Sequence, residues 1–584
     1  MAFLVPFQPA PADYPNLLAT PQPQRLNLPP APWLLVGLVL LCLAPRVGMA
    51  LRIPSVCPDG VLYIQAAKAL EAGDFREAFR EMSLNIYPAI LMLLHRTGLD
   101  WEFGAALWGV VISSLVVLPL WGWARRQFDD RVALAACLLY AVQPKFIEWS
   151  PEVMRDQTFW FLFMLSIYWL WRAVVEVHLG YFIAAGAGVT LASLTRTEGL
   201  FLLIPFALWV FWRLPALQIG RGKLLLGAML CVVVFPVLLA LVNLVWLYGH
   251  TGWTSLRLAP LARVEPWLHS LLGRGAATAD SGDTLDAAVP LTFGRMLWVF
   301  FPTATRGLSP VFALLMFGGL WGWRRVWARR DHQPLFYTTL LILCGIWVQL
   351  WYDKNICPRY MLPVVLMASP FAALGLLALI ARLLRIADWL GRNKNSPRPP
   401  TNLRSVPGEG QGVSRNKNSP RPLGEGQGVR ARAIVLAALA AVLVAGLADA
   451  MTGNAKYFET RRMASDVGRW VRRELPAPLM LVGPVGITPI ANYYACNGPC
   501  QFFRWEADDD AILSMVRQSK ADVVLLRPTK QLTPQRCDAL VEQFRPDGLA
   551  PVARSALPPT CGDMRVLLRN SQSPHLARTP SQVY

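Results

Sequence analysis

Four short segments place acids and basic residues where chemistry could be done. In Pro58-Asp59-Gly60-Val61-Leu62-Tyr63, one carboxylate precedes an amphipathic stretch over 63–80. A carboxylate so placed can take a proton from a hydroxyl acceptor. It can equally cap the following helix by accepting backbone N–H bonds. The second segment is Glu148-Trp149-Ser150-Pro151-Glu152-Val153-Met154-Arg155-Asp156. If a helix starts at Pro151, Glu152 and Asp156 share one face. Asp156 also leads directly into an apolar run, where an ionised carboxylate is costly unless paired or used. In Leu194-Thr195-Arg196-Thr197-Glu198-Gly199, the planar guanidinium fork of Arg196 suits a phosphate, with Glu198 to hold it. A local ion pair at a surface is the plainer reading. The last segment, 352–360, offers Lys354 and Arg359-Tyr360, which can bind an anion or snorkel to headgroups. None of the 6 His residues forms a pair at metal-ligand spacing. Neither a P-loop, nor a dinucleotide fingerprint, nor a serine nucleophile elbow is present, so nucleotide-driven transport is not expected.

The elements that must position these residues are membrane spans. The 584 residues are 54% hydrophobic and only 16% charged, with 23 Trp and 26 Phe. Mean hydropathy is +0.37. A soluble chain of this size is not so apolar, and disorder, collagen and disulfide-scaffold classes are excluded. At roughly 20 apolar residues per crossing, about eleven spans are expected. They are 33–51, 101–124, 132–146, 158–175, 181–194, 200–212, 224–248, 308–323, 335–351, 361–384 and 433–450. The run 85–94 is too short and contains Pro88, and reads as a re-entrant or interfacial helix. The fold class expected is a multi-pass α-helical membrane protein.

The formal charge of +19 is compatible with nucleic-acid binding or with positive-inside loops. Position decides between them. Arg125, Arg126, Arg131, Arg172, Arg213, Arg221, Lys223, Arg324, Arg325, Arg329, Arg330, Arg382 and Arg385 all lie at or just beyond the ends of alternate spans. They share one side if the N-terminus is cytoplasmic. The expected location is therefore the plasma (inner) membrane, with the four reactive segments and the C-terminal region outside and no nucleic-acid partner. The Pro-rich N-terminus, lacking a basic flank, is not expected to be a cleavable signal peptide.

Three regions follow: a cytoplasmic segment 1–32, a transmembrane domain 33–451, and a soluble extracytoplasmic α/β domain 452–584. Within the second, 392–432 is a basic, imperfectly repeated insertion expected to be disordered, because it has too little apolar surface to bury. In the tail, helices are expected over 455–475 and 507–519, and strands over 479–483, 522–526 and 564–568. Of 10 cysteines, Cys57, Cys357, Cys496, Cys500, Cys537 and Cys561 fall outside the membrane on the oxidising side. Local pairing joins Cys496 to Cys500 and Cys537 to Cys561, leaving Cys57 for Cys357, with other connectivities open.

Taken together, the loops resemble those of the GT-C superfamily of membrane glycosyltransferases. The likeness is greatest to the dolichyl-phosphate-mannose-protein mannosyltransferase and aminoarabinose transferase group (glycosyltransferase family 39-like). The matching features are Pro-Asp59-Gly-x-x-Tyr63 after the first span, Tyr87-Pro88, Arg155-Asp156-Gln-Thr-Phe-Trp-Phe, Leu-Thr-Arg196-Thr-Glu198-Gly and Pro-Arg359-Tyr360-Met-Leu-Pro, over roughly 33–451. The resemblance implies transfer of a hexosyl or pentosyl unit from a polyprenyl-phosphate carrier to a protein, lipid or glycan acceptor, with inversion. It implies Asp59 as general base and Arg196, Arg359 and Lys354 as donor-phosphate ligands. Asp156 or Glu152 would orient the acceptor or hold a divalent cation, with Glu198, Tyr63 and Tyr360 in support. The alternative is a transporter or flippase of lipid-linked sugars without transferase activity. Such proteins carry internal repeats and interrupted mid-membrane helices, and the spans here show no internal symmetry.

Overall fold

A computed structural model describes residues 31–53, 55–80, 85–217, 220–246, 293–322, 339–340, 343–345, 358–394, 444, 448, 455–475, 478–496, 500–503 and 507–570. The insertion (from residue 395 on), the segment 1–30, Lys354 and Cys357 lie outside the described residues, as do nearly all of 335–351 and 433–450.

The first half is helical: α1 (Ala31–Ala50), α2 (Pro58–Glu71), α3 (Phe75–Arg80), α4 (Ile86–Arg96), α5 (Trp101–Leu115), α6 (Val117–Gln127), α7 (Asp130–Val142), α8 (Pro144–Trp149), α9 (Asp156–Glu176), α10 (Leu179–Thr195), α11 (Leu203–Arg213) and α12 (Arg221–Trp246). Helices Phe293–Leu308, Pro310–Gly322 and Leu362–Lys394 follow. Among the described residues, five stretches are long and apolar enough to cross a membrane: Pro32–Ala50, Trp101–Gln127, Asp156–Glu176, Arg221–Leu238 and Pro358–Ile386. Phe300–Leu308 with Pro310–Trp321, bent by 89°, makes a sixth if counted as one span.

Of the eleven expected spans, 335–351 and 433–450 lie almost wholly outside the described residues, and three others are shortened or broken for local reasons. The run 132–146 is interrupted at Gln143, whose Oε1 accepts from Lys145 N at 2.7 Å and Phe146 N at 3.2 Å and starts α8. The run 181–194 forms α10, whose 17 residues rise only about 26 Å. The run 200–212 begins as a 3-10 turn, Thr197–Leu202, before α11. Large apolar side chains stand exposed on these helices, as at Trp33, Leu40, Phe211 and Met229. Glycines allow the closest helix contact. A Cβ at Gly375 would lie 1.9 Å from Leu315 O, and one at Gly319 2.0 Å from Phe371 O.

Between the spans, α2 and α4 pack through Tyr63, Ile64, Tyr87 and Leu91, with Val153 and α5's Ala105. The expected amphipathic helix over 63–80 begins earlier and is two helices, broken at Gly73, whose φ of +80° suits glycine.

The C-terminal region is a three-layer α/β domain with sheet order β2-β1-β3-β5-β4. Strands β1 (Leu481–Pro484), β2 (Cys500–Phe503) and β3 (Val523–Leu526) are parallel, with Leu481 opposite Cys500 and Val523. Strand β5 (Arg565–Arg569) runs antiparallel to β3, pairing Leu568 with Val523, and β4 (Leu549–Pro551) runs antiparallel to β5. Side-chain alternation divides two cores. Leu481, Val523, Leu525 and Val566 meet helix Ala455–Glu474 through Val467 and Trp470. Val482, Val524, Leu526 and Leu567 meet helices Asp509–Gln518 and Pro534–Phe544 through Ile512, Val516, Leu540 and Phe544. This layering corrects one expected disulfide: Cys561 belongs to the first core and Cys537 to the second, with the sheet between them. Cys57, Cys496, Cys500, Cys537 and Cys561 are all free thiols. Cys57 is instead used as a cap, described below.

Candidate active site

Asp59 lies in the first turn of α2 and is not its cap. Cys57 is, with its Sγ accepting from Gly60 N at 3.3 Å. The carboxylate is therefore released from helix duty. It is 44% exposed and its Oδ2 accepts from Arg359 Nη2 at 2.7 Å. Arg359 comes from a residue 300 positions away, in the 3-10 turn Pro358–Met361 that opens helix Leu362–Lys394. Its Nη1 reaches Met154 Sδ at 3.1 Å, and its guanidinium lies 5.4 Å from the Tyr360 ring and 5.9 Å from that of Trp149.

The second cluster forms where α9 begins and α10 ends. Asp156 is the first residue of α9, where the dipole favours a carboxylate. It accepts a hydrogen bond from Arg196 Nη1. The same arginine gives Nε and Nη2 to Glu198 Oε1 at 3.2 and 2.5 Å. Burial works to raise the Glu198 carboxyl, but the adjacent Arg196 charge and hydrogen bond win and hold it down at about 2. Arg196 also lies 4.9 Å from the Tyr360 ring and 5.8 Å from Phe159. Tyr360 thus touches both clusters and joins the two guanidiniums. Tyr63 is buried edge-on to Tyr87 with centroids 5.2 Å apart; burial pushes its hydroxyl up to about 12, so it stays neutral.

Asp156, Arg196, Glu198, Arg359 and Tyr360 form the polar wall of a narrow cleft. Phe159, Trp160, Phe163, Phe201 and Pro363 form the apolar wall. Guanidiniums are the groups that suit a phosphate, and here they border buried aromatic side chains. Asp59 stands beside the cleft through Arg359.

Of the residues expected to act, the structure brings together Asp59, Asp156, Arg196, Glu198, Arg359 and Tyr360. Glu152 does not join them. No helix starts at Pro151; residues 151–155 form turns, α9 starts at Asp156, and the common face for Glu152 and Asp156 does not exist. Glu152 is buried and paired with Arg461 Nη1. Glu152, expected among the acids that orient the acceptor or hold a cation, is thus placed outside the cleft lining. A divalent cation also lacks a donor set among the described residues: Asp59, Asp156 and Glu152 are each committed to a guanidinium, and no group of three His, Cys, Asp or Glu gathers. Hard divalent ions need several oxygen ligands, which these carboxylates do not offer while each holds a guanidinium.

Sequence reasoning missed Arg461, the cap at Cys57, the aromatic wall and Met154. Arg155, beside Asp156, was also passed over as a site residue. It makes no ion pair among the described residues, yet its charge acts on Tyr63 and Glu198.

Residues 86–240 match the family model described as dolichyl-phosphate-mannose-protein mannosyltransferase. No curated protein matches the chain. The fold is similar to that of ArnT from Cupriavidus metallidurans bound to undecaprenyl phosphate, with a TM-score of 0.52 at 14% identity, covering 94% of this chain and 100% of that one. It is also similar to the Archaeoglobus fulgidus oligosaccharyltransferase in complex with zinc and sulfate, with a TM-score of 0.52 at 12% identity, covering 89% and 72%. The resemblance to GT-C membrane glycosyltransferases drawn from the loops is therefore found again, in sequence over one central stretch and in fold over most of the chain.

Proposed function

We propose that this chain is an integral-membrane glycosyltransferase that moves a sugar from a polyprenyl-phosphate carrier to an acceptor hydroxyl on the extracytoplasmic face. The observation that carries the reading is Tyr360 under two guanidiniums, Arg196 and Arg359, at the polar end of an aromatic-walled cleft, with Asp59 on Arg359. The similar fold of ArnT, solved bound to undecaprenyl phosphate, supports the carrier class. The distribution of basic residues supports the sidedness.

In this reading the carrier phosphate sits against Arg196 and Arg359, and its isoprenoid chain runs along Phe159, Trp160 and Phe163. The acceptor hydroxyl approaches Asp59, whose Oδ2 is held by Arg359 while the other oxygen takes the proton. The acceptor oxygen forms a bond to the anomeric carbon as the bond from that carbon to the phosphate oxygen breaks. Attack opposite the leaving group inverts the centre. Polyprenyl phosphate leaves with one more negative charge, which the arginines offset. Asp156 and Glu198 hold Arg196 in place.

The test is transfer by purified Asp59→Asn protein supplied with polyprenyl-phospho-sugars. A loss of about 10²–10⁴-fold is expected for removal of a general base. Wild-type transfer by D59N would refute the assignment of the base. Absence of transfer by the wild type across donor sugars would favour carriage of lipid-linked sugars instead.

A further inference from the structure

The C-terminal domain reaches the candidate site through three consecutive residues. Arg461, on the domain's first helix, holds Glu152; the pair is almost solvent-free, with side-chain exposures of 1% and 3%. The next residue, Val153, presents its carbonyl to the thiol of Cys57 at 3.7 Å. Cys57 caps the helix that carries Asp59. Val153 also sits so close to that helix that a Cβ on Gly60 would fall 2.7 Å from Val153 Cβ and 2.9 Å from its carbonyl oxygen. The third residue, Met154, touches Arg359, which holds Asp59. One short segment thus connects Arg461 to both supports of the carboxylate.

The pair is a poor source of stability. Glu152 Oε2 and Arg461 Nε and Nη2 are buried without hydrogen-bond partners among the described residues. A buried ion pair left this incomplete is often no better than an apolar replacement. Other contacts already dock the domain: Tyr494 donates to Glu102 Oε2 at 2.7 Å and accepts from Val56 N at 3.2 Å. Phe458 packs on Met49 and Ile147.

We propose that Arg461 is a positioning residue through which the C-terminal domain sets the geometry of Asp59 and Arg359, by holding Glu152 and hence Val153 and Met154. The proposal rests on the transferase reading for its kinetic arm only. Its other arm reads the segment directly, through the accessibility of the Cys57 thiol.

The experiment uses the full chain in detergent. Single substitutions leave a lone buried charge and can unfold the protein, so the double variant Glu152→Leu/Arg461→Met removes both charges, and Arg461→Lys keeps the charge while losing the planar fork. Peptide-resolved alkylation measures Cys57, and donor titration separates kcat from KM. The double variant is expected to keep its melting temperature, to expose Cys57 to alkylation under native conditions, and to lose about 10²-fold in kcat, as a misplacement of about an ångström does. KM for the donor is expected to rise by less than kcat falls, because Arg359 is displaced while Arg196 and the aromatic wall are untouched. R461K should fall between wild type and the double variant in both readings. Cys57 still protected together with wild-type kcat in either folded variant overturns the proposal. Absence of transfer by the wild type, with Cys57 exposed in the variants, overturns the transferase reading and leaves the positioning link standing.

Discussion

Replacing Arg359 with alanine tests the site at its most shared atom group. The side chain makes a charge-assisted hydrogen bond to Asp59 at 2.7 Å. Such bonds contribute about 1.5–3 kcal/mol; with Asp59 44% exposed, solvent screening puts this one at or below the low end. The guanidinium also faces Tyr360 at 5.4 Å and Trp149 at 5.9 Å, and each contact of this kind is worth about 0.5–1 kcal/mol. All of these contacts exist before the reaction begins, so their removal loosens the site without acting on the transition state directly. In the proposed reaction the greater effect would fall on the leaving phosphate, which would lose a stabilising cation. Removal of one preorganised donor facing developing charge costs about 10²–10³-fold in kcat, or roughly 3–4 kcal/mol. Arg359→Ala is therefore expected to lose at least that factor. Arg359→Lys should lose less, since one ammonium keeps the charge but cannot span Asp59 and a phosphate together. Single-turnover transfer from a polyprenyl-phospho-sugar in micelles gives kcat, and thermal unfolding confirms a folded variant. A folded R359A protein with wild-type kcat would show that the Arg359 cluster takes no part in the chemistry.

Two further outcomes follow from the geometry. Glu198, held down at about 2 by Arg196 despite its burial, has a folded pKa below its unfolded value of about 4.3. Its stabilisation is fully present above pH ~4.3 and is lost as pH falls from there through about 2. Thermal unfolding between pH 2 and 7 should show this loss in wild type, and Glu198→Gln should flatten it; an unchanged profile in E198Q would refute the link. Gly375→Ala would force a Cβ to within 1.9 Å of Leu315 O, separating two packed helices. A lowered melting temperature is expected, by several degrees, as for overpacking that costs about 1–3 kcal/mol; an unchanged one would refute the packing.

Each of the four charged segments was visible from residue type alone, but their partners were not. Arg196 and Glu198 are neighbours in sequence, and their pairing needed only a short turn. Asp59 and Arg359 meet across 300 positions, and Glu152 and Arg461 across 309. Nothing local records such pairs, because a salt bridge leaves no periodicity in either stretch of sequence. The helix-cap reading of Asp59 failed for a related reason. Cys57 occupies the cap two residues earlier, and thiols are not among the side chains that usually announce a helix start.

The sequence by itself determined the solvent in which this protein folds. Apolar runs of bilayer length and basic residues on alternate connections are properties of the chain in one dimension, and the helices they specify satisfy their own backbone. It also determined most of the C-terminal elements, since helix Ala455–Glu474 and strands β1, β3 and β5 follow from their apolar spacing. Only the tertiary structure decided which carboxylate is exposed and which are buried under a guanidinium. Asp59 is open beside the cleft, Asp156 is locked to Arg196, and Glu152 is sealed under Arg461. The three are alike as residues; what separates them is the guanidinium that packing delivers to each, and packing depends on the whole chain at once.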